Sequence, residues 1–390
     1  MKLPRPIAGL VFGHFSIDFW QGTFPALLPL LHTERRYSLA ANGALLLAFN
    51  LSSSVVQPLF GLASDRQPRP WMMPAGILLT GVCLSLFGVV NDTSVLLGLA
   101  ALGGMGVAAF HPEAVRLVRT VAAAGARSTA ISWFNVGGSL GFATGPLVAG
   151  MLFTHFGLGG TPWLLLPLVG MVAFTWRIAQ GHAEREARSE GAAKNAAAGR
   201  DRWDGFALVS VGVVCRSIVF FGLSTMVPLL WLRGAGHGAG GASLLLSALF
   251  AAGVVGQLTG GWLGDRWGRN RTVMVGFAIQ IPVMLALAHA TGAFALIALS
   301  AAAGAAMSMP FSSLVVMGQD FLPNRVGLAS GVTVGLAITA GGLLAPWMGA
   351  LADAHGAAAV INGLAWVPLA AVAAALGLAR LRPPAPAFAG

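Results

Sequence analysis

The sequence predicts an all-α membrane protein, with twelve transmembrane helices in two pseudo-symmetric six-helix bundles. Long apolar runs, a scarcity of charge and a repeat of the first half in the second carry this prediction. Of 390 residues, 56% are hydrophobic and 9% are charged. Soluble domains carry about 25% charged residues. So few charges cannot build a water-facing surface, and lipid must cover much of the apolar side. The 53 glycines suit a bilayer, where small residues let helix backbones approach closely.

A membrane helix needs about 20 mostly apolar residues. Hydrophilic breaks delimit runs at 7–31, 40–63, 72–90, 94–117, 128–153 and 162–180, then at 205–232, 241–263, 272–290, 294–318, 328–350 and 360–380. A membrane barrel would instead show alternating segments of about ten residues. Lys2 and Arg5 before the first run imitate a secretion signal. His14 and Asp18 interrupt that run and no small-residue cleavage site follows, so it reads as an uncleaved span. The longest break gives the organisation: an N-terminal bundle at 1–180, a solvated and partly helical cytoplasmic linker at 181–204, and a C-terminal bundle at 205–390.

Charge placement gives orientation. Of the 23 Lys and Arg residues, Arg35, Arg36 and Arg233 fall on one side and Arg216 lies within a span. The rest, among them Lys194 and Arg382, occupy the other side. The positive-inside rule then puts both termini in the cytoplasm, and the expected location is the cell inner membrane. The net charge of +10 is not a nucleic-acid footprint, because it is scattered over short breaks rather than gathered on one face. Cys83 and Cys215 each sit in an apolar stretch, which suggests neither a disulfide nor a zinc site.

The halves repeat. Gln57-Pro-Leu-Phe-Gly-Leu-Ala-Ser-Asp-Arg66 matches Gln257-Leu-Thr-Gly-Gly-Trp-Leu-Gly-Asp-Arg266, and Pro112, Arg127 and Ser132 match Pro310, Arg325 and Ser330. Several matches in order at nearly one offset indicate duplication of a six-helix unit. Two such halves bind substrate between them near the midplane.

Two charges lie inside spans. Asp18 and Arg216 occupy matching repeat positions, each ~17 Å from the inner end at 1.5 Å per residue. An unpaired charge at a helix centre costs about 2.5–3.5 kcal/mol and marks function by default. Equal depth, opposite sign and the repeat predict that the two face each other across a central cavity. His14 shares the Asp18 face at i, i+4, and Gln21, Pro25 and Pro29 continue the stripe. Asp18 would exchange a proton, His14 would tune it and Arg216 would be a fixed cation. The alternative is a buried ion pair that only fixes packing. Asn50, Asn135, Gln57 and Gln257 are uncharged polar residues within spans. They serve equally well as substrate contacts or as interhelical glue worth about 0.6 kcal/mol.

Asp65 and Asp265 sit at inner helix ends, where a carboxylate can accept from the N-terminal amides of a following helix. The adjacent arginines can bridge neighbouring helix ends and close the inner face. His111-Pro112-Glu113 ends span 4. Pro112 is expected to break the helix there, leaving Glu113 in a new first turn as a cap or inner gate. His111 and Glu113 are not expected to bind metal, because no third ligand follows at useful spacing. Gly141, Gly145, Pro146 and Gly150 in span 5 form a small-residue face for backbone-to-backbone packing. No Ser-His-Asp order at a plausible site, no HExxH, no kinase-like loop and no soluble stretch longer than 181–204 occurs in the sequence, so it does not read as an enzyme, a membrane enzyme or sensor is the remote alternative, and it implies no cofactor.

Some of these residues resemble a known family. Gly261-Trp-Leu-Gly-Asp265-Arg266-Trp-Gly268-Arg269 is similar to the loop signature of the major facilitator superfamily, and Gly61, Asp65, Arg66 and Arg69 form its first-half copy. That copy departs at Pro68, where the pattern has Gly. The span 5 glycines with Pro146 resemble the Gly-Pro motif of the superfamily's antiporters. His14-x-x-x-Asp18 with Pro25 and Pro29, Phe110-His-Pro-Glu-Ala114 and Cys215-Arg-Ser217 resemble the fosmidomycin-resistance branch of drug exporters. Many proton-coupled exporters carry an Arg midway along span 4, where this chain has Ala100. The resemblance implies a monomeric secondary transporter working by alternating access. It implies proton-driven efflux of small anionic or amphiphilic compounds such as antibiotics, with proton symport of a metabolite as the alternative.

Overall fold

A computed structural model of the protein describes residues 5–193, 199–232 and 239–381. Lys2, Lys194, Arg233 and Arg382, used above for orientation, lie outside them. The first half comprises α1 (Arg5–Arg35), α2 (Leu39–Val55), α3 (Gln57–Arg66), α4 (Met72–Ser85), α5 (Thr93–Val121), α6 (Arg127–Phe156) and α7 (Leu165–Ala193). The second half comprises α8 (Trp203–Leu232), α9 (Ala239–Arg266), α10 (Arg269–His289), α11 (Ala293–Ser308), α12 (Phe311–Phe321), α13 (Val326–His355), α14 (Ala357–Leu364) and α15 (Val367–Arg380). Among the described residues, ten helical segments are long and apolar enough to cross a membrane, and Met72–Ser85 is a shorter apolar helix. With α1, they fall at the twelve expected positions.

Local chemistry sets the ends. Ser38 caps α2 by accepting from the Ala41 amide at 3.1 Å, and Asp92 caps α5 by accepting from Ser94 and Val95. Arg35, at the end of α1, donates to carbonyls of Phe87, Gly88 and Val90 just beyond α4, which satisfies acceptors a helix end leaves open. α7 continues to Ala193, well into the hydrophilic stretch expected to form the linker.

The repeated prolines act differently. Pro112 lies inside the continuous helix α5, so the expected break and new first turn at Glu113 do not occur. Its counterpart Pro310 does interrupt the chain, between α11 and α12. A bilayer helix tolerates proline where neighbours satisfy the freed backbone groups.

The largest side chains of the first-half core are aromatic, with Trp20, Phe24, Phe49, Phe87, Phe110 and Phe134 fully buried. Beside it runs a bare seam between α1 and α6. A Cβ added at Gly137, Gly141 or Gly145 would collide with the carbonyl oxygens of Val11, Phe15 and Phe19, respectively. Only glycine allows these two backbones to touch. The span 5 motif is thus a packing seam within the first half. Gly150 lies outside it, since a Cβ there would meet nothing within 4 Å.

Candidate functional site

Midway along α1, Asp18 is held by two histidines. His14 Nε2 lies 3.2 Å from its Oδ2, and His111 Nε2, from α5, lies 3.5 Å from its Oδ1. Both rings are fixed from behind: Nδ1 of His14 reaches the Phe134 carbonyl of α6 at 2.8 Å, and Nδ1 of His111 reaches the Val107 carbonyl at 2.9 Å. A carbonyl oxygen only accepts, so each Nδ1 must carry the hydrogen. In a neutral ring Nε2 is then a bare lone pair aimed at a carboxylate oxygen. Two acceptors face each other unless a proton or another cation lies between them.

The Phe134 ring stacks on His14 at 4.0 Å between centroids and shields the contact from one side. Gly138 of α6 supplies the room, because a Cβ there would sit 2.5 Å from both Asp18 Oδ2 and His14 Nε2. Overpacking of this kind costs about 1–3 kcal/mol. Gly138→Ala is therefore expected to lower the melting temperature modestly and to cut transport disproportionately, a difference that thermal unfolding and flux measured on one preparation will show.

Two sequence expectations change here. His111 is a partner of Asp18 rather than part of a gate at the end of span 4. The nearest side-chain N and O atoms of His14, Asp18 and His111 all lie within 4.8 Å of one another. Glu113 is fully buried, binds Arg116 at 2.7 Å and accepts from the Ser64 hydroxyl.

Arg216 does not pair with Asp18. Among the described residues its guanidinium has no carboxylate partner; it stacks on Phe311 at 4.1 Å and faces Phe220 at 5.4 Å, and its Nε is buried without a hydrogen bond. Phe311 also packs against the cores of both halves, so Arg216 stands beside the seam between them. Gln21 and Asn50 are half-buried, while Asn135 Nδ2 and both polar atoms of Gln57 are buried with no hydrogen-bond partner among the described residues.

The end of the molecule that carries residues 199–202 is tied shut between halves. Asp65 of α3 accepts from Gly327 and Leu328 at 2.6 and 2.8 Å, in the first turn of α13. Asp265 of α9 accepts from Ser128 and Thr129 at 3.0 and 2.8 Å, in the first turn of α6. Each carboxylate thus caps a helix of the opposite half, not the following helix as expected. Gly61 and Gly327 meet backbone to backbone, and Gly261 lies against Ser128 and Ser132. Gly268 turns with φ of 100°, a left-handed conformation that Pro68 cannot adopt. Arg66 is exposed and Arg69 half-buried, and Arg266 lies over the Trp262 ring.

Arg269 extends to Asp320 at 2.6 Å; the same carboxylate holds Arg119 at 2.7 Å and Arg127 at 3.6 Å. Sequence reading missed Asp320, which ends a helix with no motif around it. It also missed Gly138, whose value depends on what α1 places opposite.

The sequence profile of the Major Facilitator Superfamily matches residues 10–346 and 209–389. The chain belongs to the Major Facilitator Superfamily. Members are transporters, not enzymes, and bind small molecules within the membrane. The chain is similar to the Fosmidomycin resistance protein of Escherichia coli (strain K12), with 28% identity over 371 residues, covering 93% of this chain and 90% of the relative. It is similar in the same degree to an uncharacterized MFS-type transporter, YfnC, of Bacillus subtilis (strain 168), with 28% identity over 372 residues and the same coverage of both chains. The fold matches that of the E. coli fucose:proton symporter FucP with a TM-score of 0.75 at 16% identity, covering 96% of this chain and 99% of that one. The superfamily fold accounts for the two bundles, and the reciprocal caps lie at its repeated loop motif.

Proposed function

We propose that this transporter expels small anionic or amphiphilic compounds, antibiotics among them, in exchange for protons. It works as a monomer in the cell inner membrane with both termini in the cytoplasm. The observation that carries the anionic class is Arg216: a guanidinium in the middle of a span, beside the seam between the bundles, with aromatic rings and, among the described residues, no carboxylate around it. A cation left uncompensated at that depth is costly, and an anionic substrate would supply the missing partner. Aromatic faces beside it suit an amphiphile. Asp18, seated between two imidazoles, is the proton carrier in this reading. The bridged end is the cytoplasmic gate, closed in this state, and the energy source is the proton gradient. Export is supported by the similarity to the Fosmidomycin resistance protein.

Flux in proteoliposomes tests the reading. Truncating one member of a buried charge pair costs about 2–5 kcal/mol, so Arg216→Ala should weaken anionic compounds ~30-fold or more and neutral ones little. Equal losses for both classes would remove the anion assignment. Substrate entering with protons, rather than against them, would replace exchange by symport.

A further inference from the structure

We infer that His14, Asp18 and His111 form a binding site for one divalent transition-metal ion of the zinc class. Three independent features point there.

The first is spacing. Bonds of ~2.0–2.1 Å in tetrahedral geometry put ligand atoms about 3.3 Å apart. His14 Nε2 and Asp18 Oδ2 are 3.2 Å apart, and His111 Nε2 and Asp18 Oδ1 are 3.5 Å apart. All three donors lie within 4.8 Å of one another, a spread that one ion can draw together.

The second is the state of the rings. A histidine that binds metal usually donates its other ring N–H to a carbonyl or carboxylate, which fixes the tautomer. Both histidines do so, to Phe134 and Val107. Their Nε2 lone pairs are therefore already directed at the carboxylate, and a cation resolves the acceptor-to-acceptor contact. Among the described residues, Asp18 Oδ1 is buried and makes no hydrogen bond, which leaves it available as a ligand.

The third is the donor set and its access. Two imidazoles and one carboxylate suit zinc, cobalt, nickel or iron, whereas magnesium and calcium prefer oxygen alone. The histidines are buried, but Asp18 keeps 15% of its side chain accessible, which provides an entry path and leaves a coordination position open to water or an anion. The three residues come from α1 and α5 of one bundle, so the ion would bind without bridging the halves.

Cobalt(II) is the probe, because its visible absorption reports a protein site directly. The purified full-length protein carries Cys83→Ala and Cys215→Ala to remove both thiols. One equivalent of cobalt should give intense visible bands, lost on adding zinc and unaffected by magnesium. Asp18→Asn and His14→Gln should each weaken binding at least about tenfold, the effect of losing even an outer-shell partner. His111→Cys should still bind cobalt and add a sulfur-to-metal charge-transfer band in the near ultraviolet, which guards against reading misfolding as lost binding. No visible bands in the parent, bands unchanged in Asp18→Asn and His14→Gln, or no charge-transfer band in His111→Cys would each overturn the site. The spectra involve no transport, so their failure leaves the export proposal standing, and failure of export leaves them unaffected.

Discussion

Asp18→Asn is expected to abolish transport driven by a pH gradient, reducing it to the background of empty liposomes, while downhill exchange of substrate persists. The amide keeps the size of the carboxylate, and its N–H can donate to one of the two bare Nε2 atoms, so the seat formed by His14, His111 and Gly138 should largely survive. What is lost is the ability to hold and release a proton at that position. A pH jump across proteoliposomes, compared with substrate counterflow at equal pH, separates these two properties. Gradient-driven flux at the parent rate in a folded Asp18→Asn protein would move proton coupling to another group.

The second large effect belongs to the reciprocal caps. Asp65 and Asp265 each accept two amide hydrogen bonds at a helix N-terminus of the other bundle. A carboxylate at such a site is worth typically 0.3–1 kcal/mol and up to about 2 kcal/mol when partly buried. Replacing either by Asn should shift the closed–open balance about two- to fivefold and at most about 30-fold, and the double replacement more, since about 1.4 kcal/mol is tenfold. Turnover should fall while substrate affinity changes little, because no cap touches Asp18 or Arg216. Spin labels at the exposed positions Gly125 and Trp267 would report the opening as a growing population of longer distances in Asp265→Asn. An unchanged distance distribution together with parent turnover would reduce the caps to static ends.

The sequence made the helices legible because lipid imposes run length and polarity on every span. The repeat was legible because the loop motif survives in both halves. Asp18 and Arg216 stood out because charge inside a span is costly wherever it faces. Partnership was a different matter. Equal depth and opposite sign suggested that Asp18 and Arg216 pair, yet rotation of the helices about their axes decides what each meets, and run lengths carry no such information. His111 lies 93 residues beyond Asp18 in the chain, and it approaches Asp18 from α5, which remains unbroken through Pro112. The same proline in the second half does end a helix, so local propensity alone could not separate the two outcomes.

α6 takes part in both events. Its first-turn amides, at Ser128 and Thr129, hold Asp265. About six residues on, some 9 Å along the axis at 1.5 Å per residue, the Phe134 carbonyl orients His14, and Gly138 follows against Asp18. Its glycine face meets the α1 backbone directly, with no compressible side chains between them to absorb a shift. A tilt of α6 on release of Asp265 would move the Phe134 carbonyl and Gly138, the α6 groups that face His14 and Asp18. One helix would then serve as both latch and lever, linking the opening of one end of the molecule to a change at the seat of Asp18.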